Sequence, residues 1–192
     1  NGMLKFDFDI ISKINFEYED VAISLLKSES IVKKNQLIGN VKIIPYAIKK
    51  NKKDKIINKN LYSNLLSVVK PSIKKISLVL SSNDSDEKQS KKIIKSINAR
   101  LSNFNLIVDL VLYNKHTKED ILNSLLKLKK INTDLILFYG STSIVDKNDI
   151  FPNSLKKASG KVLAFGAPTD PGNLLMIGTL GNKKVIGVPG CA

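Results

Sequence analysis

The chain has 192 residues, 43% of them hydrophobic, and its 31 lysines and arginines against 17 aspartates and glutamates leave a formal charge of +14. That length suits one domain, or one domain with a small appendage, and that apolar content excludes a disordered basic tail. No apolar run approaches the roughly 20 residues of a membrane-spanning helix, and a single cysteine, Cys191, excludes an internal disulfide and a zinc finger.

Residues 1–70 read as a β-rich N-terminal subdomain. An apolar run over residues 21–26 is followed by a turn at 33–36 and by a long extended stretch over 38–48 containing Val41, Ile43 and Ile44. Pro45 marks an edge or a bulge there, because it cannot donate to a ladder. The charge run 51–55 is a solvated segment. This part carries no glycine-rich turn or histidine, so a packing or interface role is expected of it.

Residues 75–192 alternate strand and helix patterns. Residues 75–81, 106–112, 135–139 and 161–166 are short apolar runs suited to buried strands. Between them, Ile93, Ile94, Ile97, Leu101 and Phe104 recur at helical spacing, with Asp84 and Glu87 three apart as in a capping box. Thr117 and Asp120 open a second helix, which carries Ile121, Leu122, Leu125, Leu126 and Leu128 as core positions. A third helix over 151–158 tolerates Pro152 in its first turn and is ended by Gly160. Residues 174–177 and 184–188 are two further strands, joined by the hairpin signal Gly181-Asn182. The pattern predicts an α/β fold, a three-layer αβα arrangement around a mostly parallel sheet with a C-terminal β-hairpin. In such sheets ligands bind beyond the carboxyl ends of the strands. That rule selects the loops 81–86 and 140–149.

Gly140, Ser141, Thr142 and Ser143 follow a buried strand and precede a helix. A glycine and small hydroxyl residues let backbone N–H groups approach an anion, and the helix N-terminus adds partial positive charge. Asp146 and Asp149 can hold Mg²⁺ through water, accept from ligand N–H groups, or simply cap the helix. Pro171-Gly172-Asn173 and Pro189-Gly190 place two tight turns at strand ends. His116, the only histidine, reads as a surface residue with no partner near it in sequence, and Cys191 reads as a free thiol.

Taken in order, these pieces resemble the molybdopterin-binding domain family, which includes molybdopterin adenylyltransferase, molybdopterin molybdenumtransferase, gephyrin and the competence-damage-inducible proteins. The matching residues are Gly140-Ser141-Thr142-Ser143 with Asp146 and Asp149, then Pro171-Gly172-Asn173, the hairpin, and Pro189-Gly190. They span residues 75–192, the expected molybdopterin-binding domain. Ser141 stands where the pattern has a second glycine, Asn173 where it has lysine, and Cys191-Ala192 where it has Asn-Pro. The first loop, from Ser81 and Ser82 to Asp84, lacks the usual Thr-Gly-acid pattern.

These departures are similar to a subgroup with Ile-Val-Asp, Asp-Pro-Gly-Asn-Leu-Leu and Pro-Gly-Cys-Ala, found as the N-terminal half of fused proteins resembling molybdenum cofactor cytidylyltransferase. Residues 41–46, Val-Lys-Ile-Ile-Pro-Tyr, extend that likeness into the first segment. The chain begins without methionine and stops on the last residue of the pattern, so a fragment of a longer protein is expected.

The resemblance implies molybdopterin as ligand and a role in molybdenum cofactor biosynthesis, as the binding part of a larger or partnered nucleotidyltransferase system. It implies a phosphate held by Gly140, Ser141, Thr142 and Ser143, with Ser81, Ser82, Pro171, Gly172, Asn173, Pro189 and Gly190 completing the site. A pterin edge would meet Asp146 or Asp149, which would also be the catalytic pair if chemistry occurs. Mg²⁺ at Asp146 and a nucleotide belong to an alternative reading, a stand-alone Mg²⁺-dependent molybdopterin nucleotidyltransferase. A homo-oligomer in the cytoplasm is expected.

A second alternative is a basic nucleic-acid-binding protein. Arg100 is the only arginine, there is no tryptophan, and the rest of the positive charge is lysine. Arginine carries most bidentate recognition of guanine and phosphate, so the charge reads as a solvated lysine surface attracting an anionic small ligand.

Overall fold

The computed structural model describes residues 2–18, 20–47, 65–83, 87–140, 142 and 144–190. The chain divides into two compact units, residues 1–72 and 73–192.

The first unit contains β1 (Gly2–Phe6), α1 (Phe8–Glu17), β2 (Val21–Leu25), β3 (Ile31–Val32), β4 (Gly39–Ile43) and β5 (Leu66–Val69). The strands form two antiparallel sheets, β3-β1-β5 and β2-β4. Helix α1 is absent from the sequence reading of a β-rich segment. Asp7 caps it, its carboxylate accepting from the N–H groups of Asp9 and Ile10 at 2.9 and 3.3 Å, and Ile11 and Ile14 share its buried face. The Asn15 amide then pairs with the backbone of Ile23, donating to its carbonyl at 2.9 Å and accepting from its N–H at 2.7 Å. The helix thereby covers the open edge of β2.

The extended stretch over 38–48 is shorter than its composition predicts. Pairing with β2 ends at Ile43, Ile44 N–H turns back to the Asp20 carbonyl at 2.9 Å, and Pro45 has no N–H to continue. The turn at 33–36 forms as expected, with Asn35 at φ 64°. The charge run 51–55 lies outside the described residues.

The second unit runs β6 (Ile76–Ser81), α2 (Glu87–Leu101) with a 3₁₀ turn (Ser102–Phe104), β7 (Leu110–Asn114), α3 (Lys118–Lys130), β8 (Leu135–Gly140), α4 (Ile150–Lys157), β9 (Lys161–Phe165), β10 (Met176–Leu180) and β11 (Lys183–Gly187). Its six strands lie in the order β7-β6-β8-β11-β10-β9. The first four are mutually parallel and the last two pairings are antiparallel. Strand alternation sorts the core into two layers. Ile76, Leu78 and Leu80 of β6 and Leu135 and Leu137 of β8 pack with Ile97 of α2. Val79, Ile136 and Phe138 pack on the other face with Ile121, Leu125 and Leu128 of α3 and Phe151 and Leu155 of α4. Every residue of β6 is buried, as a central parallel strand covered on both faces requires. The Phe138 and Phe151 rings stack with centroids 3.7 Å apart. The three-layer αβα expectation is therefore met.

Two details differ from the sequence reading. β7 begins at Leu110 rather than 106, because Asn105 turns left-handed at φ 57° and Leu106 and Val108 pack on the α2 layer before pairing starts. Helix α4 is ended by Ser159, at φ 64°, while Gly160 serves close packing: a Cβ there would lie 2.7 Å from the Thr179 carbonyl oxygen. The C-terminal hairpin joins the mostly parallel sheet, as predicted. β11 inserts beside β8, and β10 links it to β9 at the margin. The Asp84 half of the expected capping box lies outside the described residues. At the amino end of the sheet, Asp134 accepts from the N–H groups of Lys74 and Lys75 at 2.7 and 2.9 Å. Those two bonds, aided by the lysine charges, hold its carboxyl below the usual range against a smaller opposing effect of desolvation. No described helix is long and apolar enough to cross a membrane.

Candidate functional site

From β6 the chain crosses through α2 to β7 on one side, then back through α3 to β8 on the other. The strand order therefore reverses between β6 and β8, where diverging loops leave a crevice beyond the carboxyl ends. Ser81 and Gly140, the last residues of these strands, are register partners at that point.

The imidazole of His116 spans this crevice. Its Nδ1 lies 2.9 Å from Ser81 Oγ and its Nε2 lies 3.0 Å from Thr142 Oγ1. Ser81 Oγ also sits 3.3 Å from the Lys115 carbonyl oxygen, to which it can donate. Ser81 is 1% exposed, whereas Thr142 is open to solvent, so the three side chains link the sheet interior to the surface. The sequence reading of His116 as a partnerless surface residue is thus corrected. The signal was available: His116 sits in the loop leaving a parallel strand at its carboxyl end, beside the Thr117 that caps α3. Its partners come from positions 35 residues before and 26 after it, which local spacing cannot reveal.

Gly140 is required by the same crowding. A Cβ there would lie 2.9 Å from the Thr142 carbonyl oxygen and 3.2 Å from both His116 Cε1 and Phe138 Cε1. Beyond Thr142, Ile144 is buried and passes over β11, where only a glycine at 187 leaves room for its Cδ1. The loop is held across β8 and β11 by this contact. Ser141 and Ser143 lie outside the described residues.

Asp146 and Asp149 take local roles. Asp149 caps α4, with Oδ1 accepting from Ile150 N–H at 2.6 Å and Oδ2 from Val145 N–H at 3.0 Å. Asp146 accepts from Asn148 N–H in a turn of its own and is exposed. Among the described residues no three His, Cys, Asp or Glu side chains gather as a metal site, so an ion at Asp146 would draw its remaining ligands from water or a phosphate.

The other motif residues reach the same sheet edge from neighbouring strands. Val188 N–H bonds the Phe138 carbonyl at 2.8 Å, which brings buried Pro189 and exposed Gly190 out beside the end of β8. The loop between β9 and β10 is closed by Gly166 N–H to Leu175 and Ala167 N–H to Asn173, at 2.8 and 2.9 Å, and holds Pro171, Gly172 at φ 110° and Asn173 at its tip. It enters β10 at Met176, the partner of Gly187. Two strand spacings, about 10 Å, thus separate β10 from β8. Ser82 lies on the opposite flank, its N–H bonded to the Asn114 carbonyl at 3.0 Å. It lines a cleft of about 590 Å³ with Leu80, Asn83, Ser90, Tyr113 and Lys115.

Fold and site together define a mixed α/β domain with a hydroxyl-rich crevice at the carboxyl edge of its sheet. No protein-family model matches the chain, and no curated protein does. Among solved structures it is similar to a molybdopterin biosynthesis MoeA protein from Pyrococcus horikosii, at 16% identity and TM-score 0.47 over 68% of this chain and 34% of that one. It is similar also to MogA, at 17% identity and TM-score 0.44 over 61% of this chain and 83% of that one. A third is CinA from Thermoplasma acidophilum, described as of unknown function, at 16% identity and TM-score 0.40 over 62% of this chain and 90% of that one. The chain spans about a third of the length of the first of these structures.

Proposed function

We propose that residues 73–192 bind molybdopterin in molybdenum cofactor biosynthesis, as the binding part of a larger or partnered nucleotidyltransferase system. One observation carries the reading. Residues on which the sequence resemblance rests, far apart in the chain, come from three loops at one carboxyl edge, Gly140 with Thr142, Pro171–Asn173 and Pro189, and Ser81 lies beside Gly140 there. The crevice offers the ligand's phosphate the exposed hydroxyl of Thr142 at its mouth. Exposed Asp146 is the carboxylate suited to a pterin N–H edge or to a hydrated Mg²⁺ beside a nucleotide phosphate. Asp149, with both oxygens bonded, holds the loop in place. A cytoplasmic setting, a nucleotidyltransferase partner and self-association belong to the same proposal.

Thermal shift of the full chain with molybdopterin, with ATP or CTP plus Mg²⁺, and with a DNA oligomer tests it. Molybdopterin is expected to raise Tm, and Asp146→Ala and Thr142→Val to diminish the rise. Stabilisation by DNA alone, abolished by salt, would overturn the proposal in favour of nucleic-acid binding. Nucleotide turnover by the isolated chain, dependent on molybdopterin, would assign it the transfer step as well.

A further inference from the structure

The chain Lys115 carbonyl, Ser81, His116, Thr142 has a directional property. Each hydroxyl carries one proton, and neutral imidazole donates from one nitrogen and accepts at the other. If Ser81 donates to the Lys115 carbonyl, Nδ1 must donate to Ser81 Oγ. Nε2 is then bare and draws the Thr142 proton inward, leaving Thr142 only lone pairs for a ligand. If Nε2 carries a proton, it donates to Thr142 Oγ1, and the Thr142 hydroxyl must turn its own proton outward. The Ser81–Nδ1 contact of 2.9 Å is shorter than the Ser81–Lys115 contact of 3.3 Å, so the second arrangement gives up only the longer bond. In the imidazolium form it gives up neither.

We propose that His116 is a positioning residue that presents the Thr142 hydroxyl as a hydrogen-bond donor to an oxyanion of the phosphate class at the mouth of the β6–β8 crevice. An unprotonated phosphate oxygen accepts and cannot donate, so its seat against the Thr142 hydroxyl selects the state in which Nε2 holds a proton. The proposal rests on the molybdopterin reading only for the source of the phosphate. The geometry of Ser81, His116, Thr142 and Gly140 stands without the pterin.

The experiment uses the uniqueness of His116: in ¹⁵N-histidine-labelled full chain, every imidazole signal is its own. Inorganic phosphate and molybdopterin are titrated separately while the Nδ1 and Nε2 shifts report which nitrogen is protonated. The expected result is saturable change with Nε2 protonated in the bound state. Thr142→Val should remove that response, and Thr142→Val and His116→Ala should each bind phosphate about tenfold more weakly. His116→Gln, whose amide nitrogen takes the place of Nε2, should hold affinity near wild type, while His116→Asn, which reaches only toward Ser81, should match His116→Ala. A purely structural role would instead make affinity follow the loss of Tm in all three variants.

A bare Nε2 at saturating phosphate, or imidazole signals indifferent to phosphate, would overturn the inference even if molybdopterin binds. Phosphate binding with Nε2 protonated, without any effect of molybdopterin, would uphold it and remove the pterin.

Discussion

Replacing Gly140 by alanine tests the site most directly. The new methyl would lie 2.9 Å from the Thr142 carbonyl oxygen, a backbone atom, where ordinary contact needs about 3.5 Å. The neighbouring rings of Phe138 and His116, each 3.2 Å away, leave it no other direction. Thr142 must retreat by about half an ångström, stretching its 3.0 Å contact with His116 Nε2 to the limit of a hydrogen bond. Overpacking of this kind costs about 1–3 kcal/mol of stability, which lowers Tm by roughly 4–12 °C in a unit of this size. The weakened hydrogen bond removes about 1 kcal/mol from ligand binding, or about fivefold in Kd. Thermal unfolding and molybdopterin calorimetry measure the two effects separately. Wild-type Tm and Kd, with the His116 imidazole signals unmoved, would refute the crowding of Gly140, Thr142 and His116.

Phe151→Ala removes a side chain that is 1% exposed and stacked on Phe138, and should cost about 3–5 kcal/mol in urea unfolding; a loss below about 1 kcal/mol would contradict the packed α4 layer. Asp149→Ala should destabilise by about 1 kcal/mol while Asp149→Asn stays near wild type, since asparagine also caps helices; equal Tm values for the two variants would remove the capping role. Asp134 is more acidic folded than unfolded, so its bonds to Lys74 and Lys75 stabilise the chain above its unfolded pKa and are lost as pH falls through the folded one. Asp134→Asn should therefore flatten the acid side of the stability–pH curve below about pH 4, and curves for the two proteins that stay parallel there would show that the carboxylate adds nothing.

How much of the fold was legible follows from where each signal resides. Buried strands such as β6 and β8 announce themselves as continuous apolar runs, and α3 by its leucines at helical spacing and the Thr117 cap. Helix α1 was hidden because only Ile11 and Ile14 face inward while Phe8 and Phe16 stay exposed, so its apolar residues show no clear helical stripe. β7 was misplaced by four residues because Leu106 and Val108 are apolar for contact with α2, not for pairing. Composition marks burial, and burial does not say which neighbour provides it.

By itself the sequence determined the alternation of strands and helices, and with it the layered α/β class. Those follow from hydrophobic periodicity and from turn chemistry, which are local. Only the tertiary structure decided that β11 enters beside β8, so that Gly187 lies under Ile144 and Pro189 beside Gly140. It alone brought His116 between Ser81 and Thr142. A hydrogen bond of 3 Å between residues 26 or 35 positions apart depends on strand order and loop path, and no local pattern of residues encodes either.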